Sequence, residues 1–287
     1  MQLKTAAAKV RRKGGDLAKR SHQCVRFRSG CIERRILIVG AQRSGTTMLG
    51  SCFAKDIRVR DYGEYGLAET GLRILPLERI ESIAQRQHAP IMVIKPLVES
   101  HRTVEMLDFF PNSTAVWMLR RYEDVANSSL RRFGVAARNR NLGAIVRNDR
   151  IHWMAEGASD AVREVVGRYF SEDMPPLDGK ALIWYVRNSL YFEQALQNHP
   201  RVRLLHYRDI TGDPEAAMRG LYAFAGATYP ANDIVAGIHR RSVGLGRGIQ
   251  LNPEIRDLCE DMWGRFEEIG AAQAARDAAN GPGGVPS

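Results

Sequence analysis

No run in this 287-residue chain approaches the ~18 apolar residues of a membrane-spanning helix. The N-terminus also lacks the apolar core of a secretory signal. The expectation is a cytoplasmic protein with no membrane span. Cysteine is scarce and scattered: Cys24, Cys31, Cys52 and Cys259 form no CxxC pair. That argues against a disulfide framework or a zinc site and for reduced thiols. No repeat or low-complexity block is present, apart from a small Gly/Pro/Ala-containing tail over 271–287, expected to be flexible.

Acid is missing from the N-terminal segment. Eleven Lys and Arg but only Asp16 and Glu33 fall in residues 1–35, a net of +9 out of +10 for the whole chain. The high net charge therefore belongs to an arm, and residues 1–33 are expected to be disordered. The arm has no interleaved aromatic ladder, which weighs against nucleic acid as a partner.

Short apolar runs alternate with helical patterns. Strands are expected at 35–40, 91–95, 114–119 and 202–207. Helices are expected at 46–54, 101–110, 123–133 and 214–225, and over much of 144–198, with breaks near Pro175-Pro176 and Gly179. This alternation implies an α/β fold, a single domain over 34–270 with a central parallel sheet flanked by helices. In such sheets ligands sit at the carboxyl ends of the strands. Those ends carry Gly40–Thr47, Lys95, Arg120 and Arg208-Asp209.

The first of these is the most informative. Gly40 and Gly45 stand five residues apart between a buried strand and a helix, the spacing of a loop that wraps phosphate with backbone N–H groups. An ATP or GTP site needs Lys after the second glycine; this chain has Thr46, and its cation sits inside the loop as Arg43. Strands two and three end in Lys95 and Arg120, where no acid is offered to Mg²⁺. The pattern points to a phosphate group neutralised by protein cations, with no metal.

Gly-x-x-Arg-Ser-Gly-Thr-Thr-x-Leu after a buried strand resembles the 5′-phosphosulfate loop of the sulfotransferase family, whose donor is 3′-phosphoadenosine-5′-phosphosulfate (PAPS). The resemblance implies a P-loop NTPase-like sulfotransferase fold, with Arg43, Ser44, Gly45, Thr46 and Thr47 holding the phosphosulfate. Arg120 and Ser128, eight residues apart, resemble the arginine and serine of the family's 3′-phosphate motif R-D-P-R-D-x-x-x-S. Arg121, Tyr122 and Glu123 depart from that motif between its two anchors. The segment Leu204–Gly226 resembles the family's late strand–helix stretch, so the likeness runs from about Arg35 to Gly226.

The implied chemistry is sulfuryl transfer to a hydroxyl or amine by in-line displacement. It needs a base, a cation for the bridging and leaving oxygens, and donors that position PAPS. Glu64, in Asp61-Tyr62-Gly63-Glu64, is the expected base, ahead of Asp61, Glu69 and His101. Lys95-Pro96 resembles the family's Lys-x-Pro with one residue missing, so Lys95 is the candidate cation beside Arg43. Arg241 and Arg247, in a late basic glycine-containing loop, are candidates for closing over the 3′-phosphate.

The acceptor side is expected in a helical insertion over about 134–180. Six arginines between 131 and 150 there suit a solvated helical face or an acidic or polyhydroxylated acceptor. Trp153 and Trp184 are either core residues or stacking surfaces. A carbohydrate, a small molecule or a peptide all remain open as acceptor. Two other functions share the loop: a nucleotide kinase or NTPase with a degenerate P-loop, and a non-catalytic nucleotide-binding protein.

Overall fold

The computed structural model of the chain describes residues 17–70, 72–134, 138–149 and 151–280. Residues 17–26 are helical (α1). There follow β1 (Arg34–Gly40), α2 (Thr46–Phe53), β2 (Val59–Asp61), the two short strands β3 (Ala68–Thr70) and β4 (Arg73–Ile74), α3 (Leu77–Ala84) and β5 (Ile91–Ile94). A 3-10 turn over Leu97–Arg102 leads into α4 (Thr103–Phe109), then β6 (Ser113–Leu119), α5 (Tyr122–Phe133), α6 (Arg138–Val146), α7 (Asp160–Tyr169) and α8 (Pro176–Glu193). After a second 3-10 turn come β7 (Val202–His206), α9 (Tyr207–Gly212), α10 (Pro214–Phe224) and the long α11 (Pro253–Asn280).

Five strands form one parallel sheet in the order β2-β5-β1-β6-β7. β1 is central, pairing with β5 on one side and β6 on the other. Its apolar run does not alternate with polar residues because both faces are covered. Leu37 and Val39 join one buried cluster; Ile36 and Ile38 join the other. β5 and β6 divide in the same way, with Trp117 on the first face and Met118 on the second. β3 and β4 make a separate antiparallel pair.

α8 is the main helix of the first face. Its Asn188 accepts a hydrogen bond from the Trp117 indole at 3.2 Å, and its Trp184 indole donates to the Arg120 carbonyl at 2.9 Å. Trp184 is therefore core, fixed against the end of β6. The helix break expected at Gly179 does not occur. Pro176 occupies the first turn, where its missing N–H costs nothing, and Gly179 is buried within α8. The chain leaves helix earlier, over 147–149 and 151–159.

Residues 17–26 and 271–280, within the stretches expected to be disordered or flexible, are helical. Within the stretch expected as an arm, α1 docks on the body. The Gln23 amide donates to the carbonyls of Ile57 at 2.8 Å and Val59 at 3.2 Å, and the Lys19 ammonium to that of Ala54 at 2.7 Å. At the other end, α11 continues past residue 271. Gln273 there pairs with both backbone groups of Leu204, covering the open edge of β7. Residues 1–16 and 281–287 lie outside the described residues. No described helix is long and apolar enough to cross a membrane.

Candidate phosphate-binding site

The loop between β1 and α2 lies at the carboxyl edge of the sheet, at the point where neighbouring connections diverge to β5 and β6. Gly45 caps α2 with φ +98°, and a Cβ there would stand 2.5 Å from the Tyr207 ring. Only glycine satisfies both the left-handed backbone and the close ring. No side chain caps α2, so its first N–H groups face the loop together with the positive end of the helix dipole. Ser44 is fully buried, and its hydroxyl has no partner among the described residues. A buried hydroxyl without a partner beside free N–H groups is a cradle that suits an anion. Behind the loop, the Ser100 hydroxyl accepts from the Gly40 N–H at 3.1 Å and donates to the Leu97 carbonyl at 2.9 Å, which fixes where the loop begins.

Two of the expected residues, Lys95 and Glu64, meet beside this loop. The Lys95 ammonium, only 6 % exposed, donates to the Thr47 hydroxyl at 3.0 Å and pairs with the Glu64 carboxylate at 3.2 Å. The residue absent from Lys-x-Pro does not prevent this, because Lys95 directly follows the last residue of β5. Glu64 sits in the turn after β2, where the Asp61 carboxylate accepts from the Gly63 N–H at 2.8 Å. Asp61 thus shapes the turn that presents Glu64. Glu69 is elsewhere, lining an open groove with Pro76, Arg102 and Asp108.

Arg43 reaches the other way. Its Nε donates to the Ser128 hydroxyl at 3.1 Å, linking the loop to α5. Partial burial, then the neighbouring cations Arg132, Arg120 and Arg131, push its pKa below the usual arginine value. Four guanidinium groups acting on one another mean that positive potential accumulates here and favours a bound anion.

Arg120 ends β6 and lies 4.4 Å over the Tyr207 ring, with its Nη2 donating to the Ser242 carbonyl. Its Nε is buried without a hydrogen-bond partner among the described residues, and its Nη2 stands 3.5 Å from the Asp124 carboxylate. Beside it opens a cavity of about 400 Å³, whose cationic wall is Arg120, Arg121, Arg208 and Arg247 and whose acids are Glu123 and Asp124. Of the two late arginines proposed from sequence, Arg247 lines this cavity; Arg241 is exposed and does not.

The segment carrying Arg247 is strapped to the start of α5. Asp124 accepts from the N–H groups of Gly244 at 2.9 Å and Gly246 at 2.7 Å, and the Asn127 amide donates to the Leu245 carbonyl at 2.5 Å. A Cβ on Gly246 would lie 2.3 Å from the backbone carbon of Glu123. Gly246→Ala is therefore expected to lift the strap. Losing two or so hydrogen bonds predicts about tenfold weaker binding of an anion in the cavity, with faster tryptic cleavage after Arg247 as the check. Tyr207 and Asn127 are site residues that the sequence motifs do not mark, and Asp124, at the second acid of R-D-P-R-D-x-x-x-S, holds the strap.

His101 plays a different part. It lies in the 3-10 turn below the loop 151–159, with its Nε2 3.6 Å from Glu156. Burial first, and then the Arg187 cation, hold its pKa down to about 4 against an ordinary 6.5, despite the opposing pull of Glu156. It is neutral at pH 7 and a weak base. Because its folded pKa lies below the unfolded value, the unfolded chain takes up the proton first. Stability is then full above pH 6.5 and falls as pH drops toward 4, by up to about 3 kcal/mol. Denaturant titrations from pH 7 to 4 are expected to show this slope reduced in His101→Gln.

Together these features place two adjoining cationic subsites at the carboxyl edge of the parallel sheet of an α/β fold. No family model matches the chain, and no curated protein does. Among solved structures it is similar to three sulfotransferases. One is the sulfotransferase domain of a Synechococcus olefin synthase (14 % identity, TM-score 0.47, covering 80 % of this chain and 94 % of that one). Another is the sulfotransferase domain of the curacin biosynthetic pathway (13 %, TM-score 0.48, 80 % and 98 %). The third is a sulfotransferase from Alicyclobacillus acidocaldarius (14 %, TM-score 0.47, 83 % and 93 %).

Proposed function

We propose that this chain transfers a sulfuryl group from PAPS to a hydroxyl or amine of an acceptor, without a metal ion. The observation that carries the proposal is the hydrogen bond between Arg43 and Ser128. It ties the cradle at the start of α2 to α5, and Arg120, on the wall of the cavity, donates to the Arg43 carbonyl at 3.4 Å. Two adjoining anion subsites call for a nucleotide phosphorylated at both ends, and Thr46 in place of the lysine of triphosphate sites disfavours ATP.

The residues take the following roles. Ser44, Thr46, Thr47 and the N–H groups of α2 hold the 5′-phosphosulfate. Arg120, Ser128 and Arg247 hold the 3′-phosphate, with the strap over 242–247 closing the cavity. Glu64 accepts the proton of the acceptor as its oxygen or nitrogen attacks sulfur. The new bond to sulfur forms while the bond from sulfur to the phosphate oxygen breaks. Lys95 and Arg43 stabilise the charge that develops on that departing oxygen, and adenosine 3′,5′-bisphosphate leaves. Glu64 pairs with Lys95, which in turn donates to Thr47 of the cradle.

The test is release of adenosine 3′,5′-bisphosphate from PAPS, followed with phenols, amino sugars, polysaccharides and peptides as acceptors, with and without EDTA. Acceptor-dependent release unchanged by EDTA is expected. Tight bisphosphate binding with no acceptor ever sulfated would favour the non-catalytic nucleotide-binding protein.

A further inference from the structure

Arg187, on α8, is a cation in the wrong place for a structural role. It is 2 % exposed, and among the described residues no carboxylate lies within ion-pair distance. The Nη2 group donates to the Leu97 carbonyl at 2.6 Å, but among the described residues Nε and Nη1 have no hydrogen-bond partner. The Trp153 ring lies 5.2 Å from the guanidinium carbon. Burial lowers its pKa to about 10, so it stays charged at neutral pH. Glu156, the acid whose charge reaches it, is held by Arg73 at 2.5 Å. A buried charge with donors left unpartnered is costly, and hydrophobic replacements at such positions are often stabilising. A chain that keeps one has a use for the charge.

The use is legible from what the side chain faces. Arg187 lines a small, partly open chamber with Lys180, Asn141 and Ser129, and its remaining wall includes Gln42 of the phosphate loop and Trp184. The chamber holds about 40 Å³, room for roughly three waters. That is far too little for a sugar ring and close to the size of a carboxylate. Its position ties it to the reacting end of the site: one wall is the loop itself, and Arg187 grips the carbonyl two residues beyond Lys95.

We propose that this chamber anchors the acceptor by a small anionic group, a carboxylate, held by Arg187 with Lys180 beside the loop residue Gln42. The acceptor of this enzyme is then a carboxylate-bearing hydroxy or amino compound. The proposal rests on the sulfuryl-transfer reading for the word acceptor; the anion site itself does not. A carboxylate oxygen can accept from the unpartnered Nη1 N–H groups in a charge-assisted hydrogen bond.

The test uses the full chain saturated with adenosine 3′,5′-bisphosphate. Isotope-labelled acetate, its neutral isostere acetamide, and bromide are titrated in turn and read by NMR line broadening. Acetate is expected to bind about tenfold or more tighter than acetamide, the worth of a charge-assisted hydrogen bond. Arg187→Met is expected to abolish that preference and to leave bisphosphate affinity unchanged within about twofold. Its thermal midpoint is expected to match or exceed that of the parent, where loss of a purely structural arginine would lower it. Arg187→Lys is expected to restore part of the preference. Equal binding of acetate and acetamide by the unaltered chain overturns the proposal, whether or not the variants fold. So does retention of the preference in Arg187→Met. Bromide binding as tightly as acetate makes the chamber an inorganic-anion site and overturns the acceptor role. If the bisphosphate does not bind while acetate does, the donor reading fails and the anion site stands.

Discussion

Glu64→Gln is expected to lower kcat by about 10²–10⁴ with no more than a small change in bisphosphate affinity. The substitution keeps the size and hydrogen-bonding shape of the side chain and removes only its capacity to take a proton. Lys95 loses an ion-pair partner, but it still donates to Thr47 and faces the cradle where anionic oxygens bind. The donor subsites should therefore stay intact. A carboxylate that served only to pair Lys95 would behave in the opposite way. Its loss would lower the thermal midpoint and leave turnover per folded molecule within about threefold. Measuring kcat and thermal stability on the same preparation separates the two outcomes.

Arg120→Met is expected to weaken adenosine 3′,5′-bisphosphate by about 10- to 100-fold and to leave AMP nearly unaffected, since a charge-assisted pair of hydrogen bonds is worth about 1.5–3 kcal/mol. The guanidinium is fixed before any ligand arrives. Tyr207 lies under it, the Ser242 carbonyl takes one N–H, and among the described residues its Nε has no hydrogen-bond partner. Little entropy is lost when such a group meets a phosphate. Arg120 also holds the strap at Ser242, so some of the loss would come from a looser loop. Ser128→Ala separates the contributions. It removes one hydroxyl without touching the strap, and a smaller loss of about fivefold is expected. An equal loss of AMP affinity in Arg120→Met would move Arg120 out of the 3′-phosphate subsite.

The loop and the sheet are legible in sequence because their signals are local. β1 is one uninterrupted apolar run, and its meaning as a twice-covered strand follows from its lack of alternation. The spacing Gly40 to Gly45, the change from Lys to Thr46 and the displaced Arg43 all lie within eight residues. Lys95 and Arg120 are readable as strand ends, and a parallel sheet brings strand ends to one edge. What sequence does not carry is contact across long separations. Asp124 and the strap it holds are about 120 residues apart, and nothing in the pattern of either announces the other. Tyr207, read as a strand residue, instead opens α9 and forms the wall between Gly45 and Arg120.

Arg187 was hidden for the same reason. An arginine in a helical pattern signals a solvated face, and only the packing of α8 against the turn after β5 buries it. Of the two expected helix breaks, the one near Pro175-Pro176 occurs, between α7 and α8, and the one at Gly179 does not. Pro176 and Gly179 are breakers in the middle of a helix, but one starts α8 and the other is absorbed in its buried first turns. The docking of α1 rests on Gln23 and Lys19 reaching backbone carbonyls, which composition cannot show.

Calorimetric titration of the full chain with adenosine 3′,5′-bisphosphate, AMP and ATP in the presence of EDTA tests the two-phosphate site most directly. The bisphosphate should bind at least about tenfold tighter than AMP, and ATP should bind more weakly than the bisphosphate. Equal affinity for the bisphosphate and AMP, or tight ATP binding that requires Mg²⁺, would contradict the joined subsites at Arg43 and Ser128 on which the proposed donor depends.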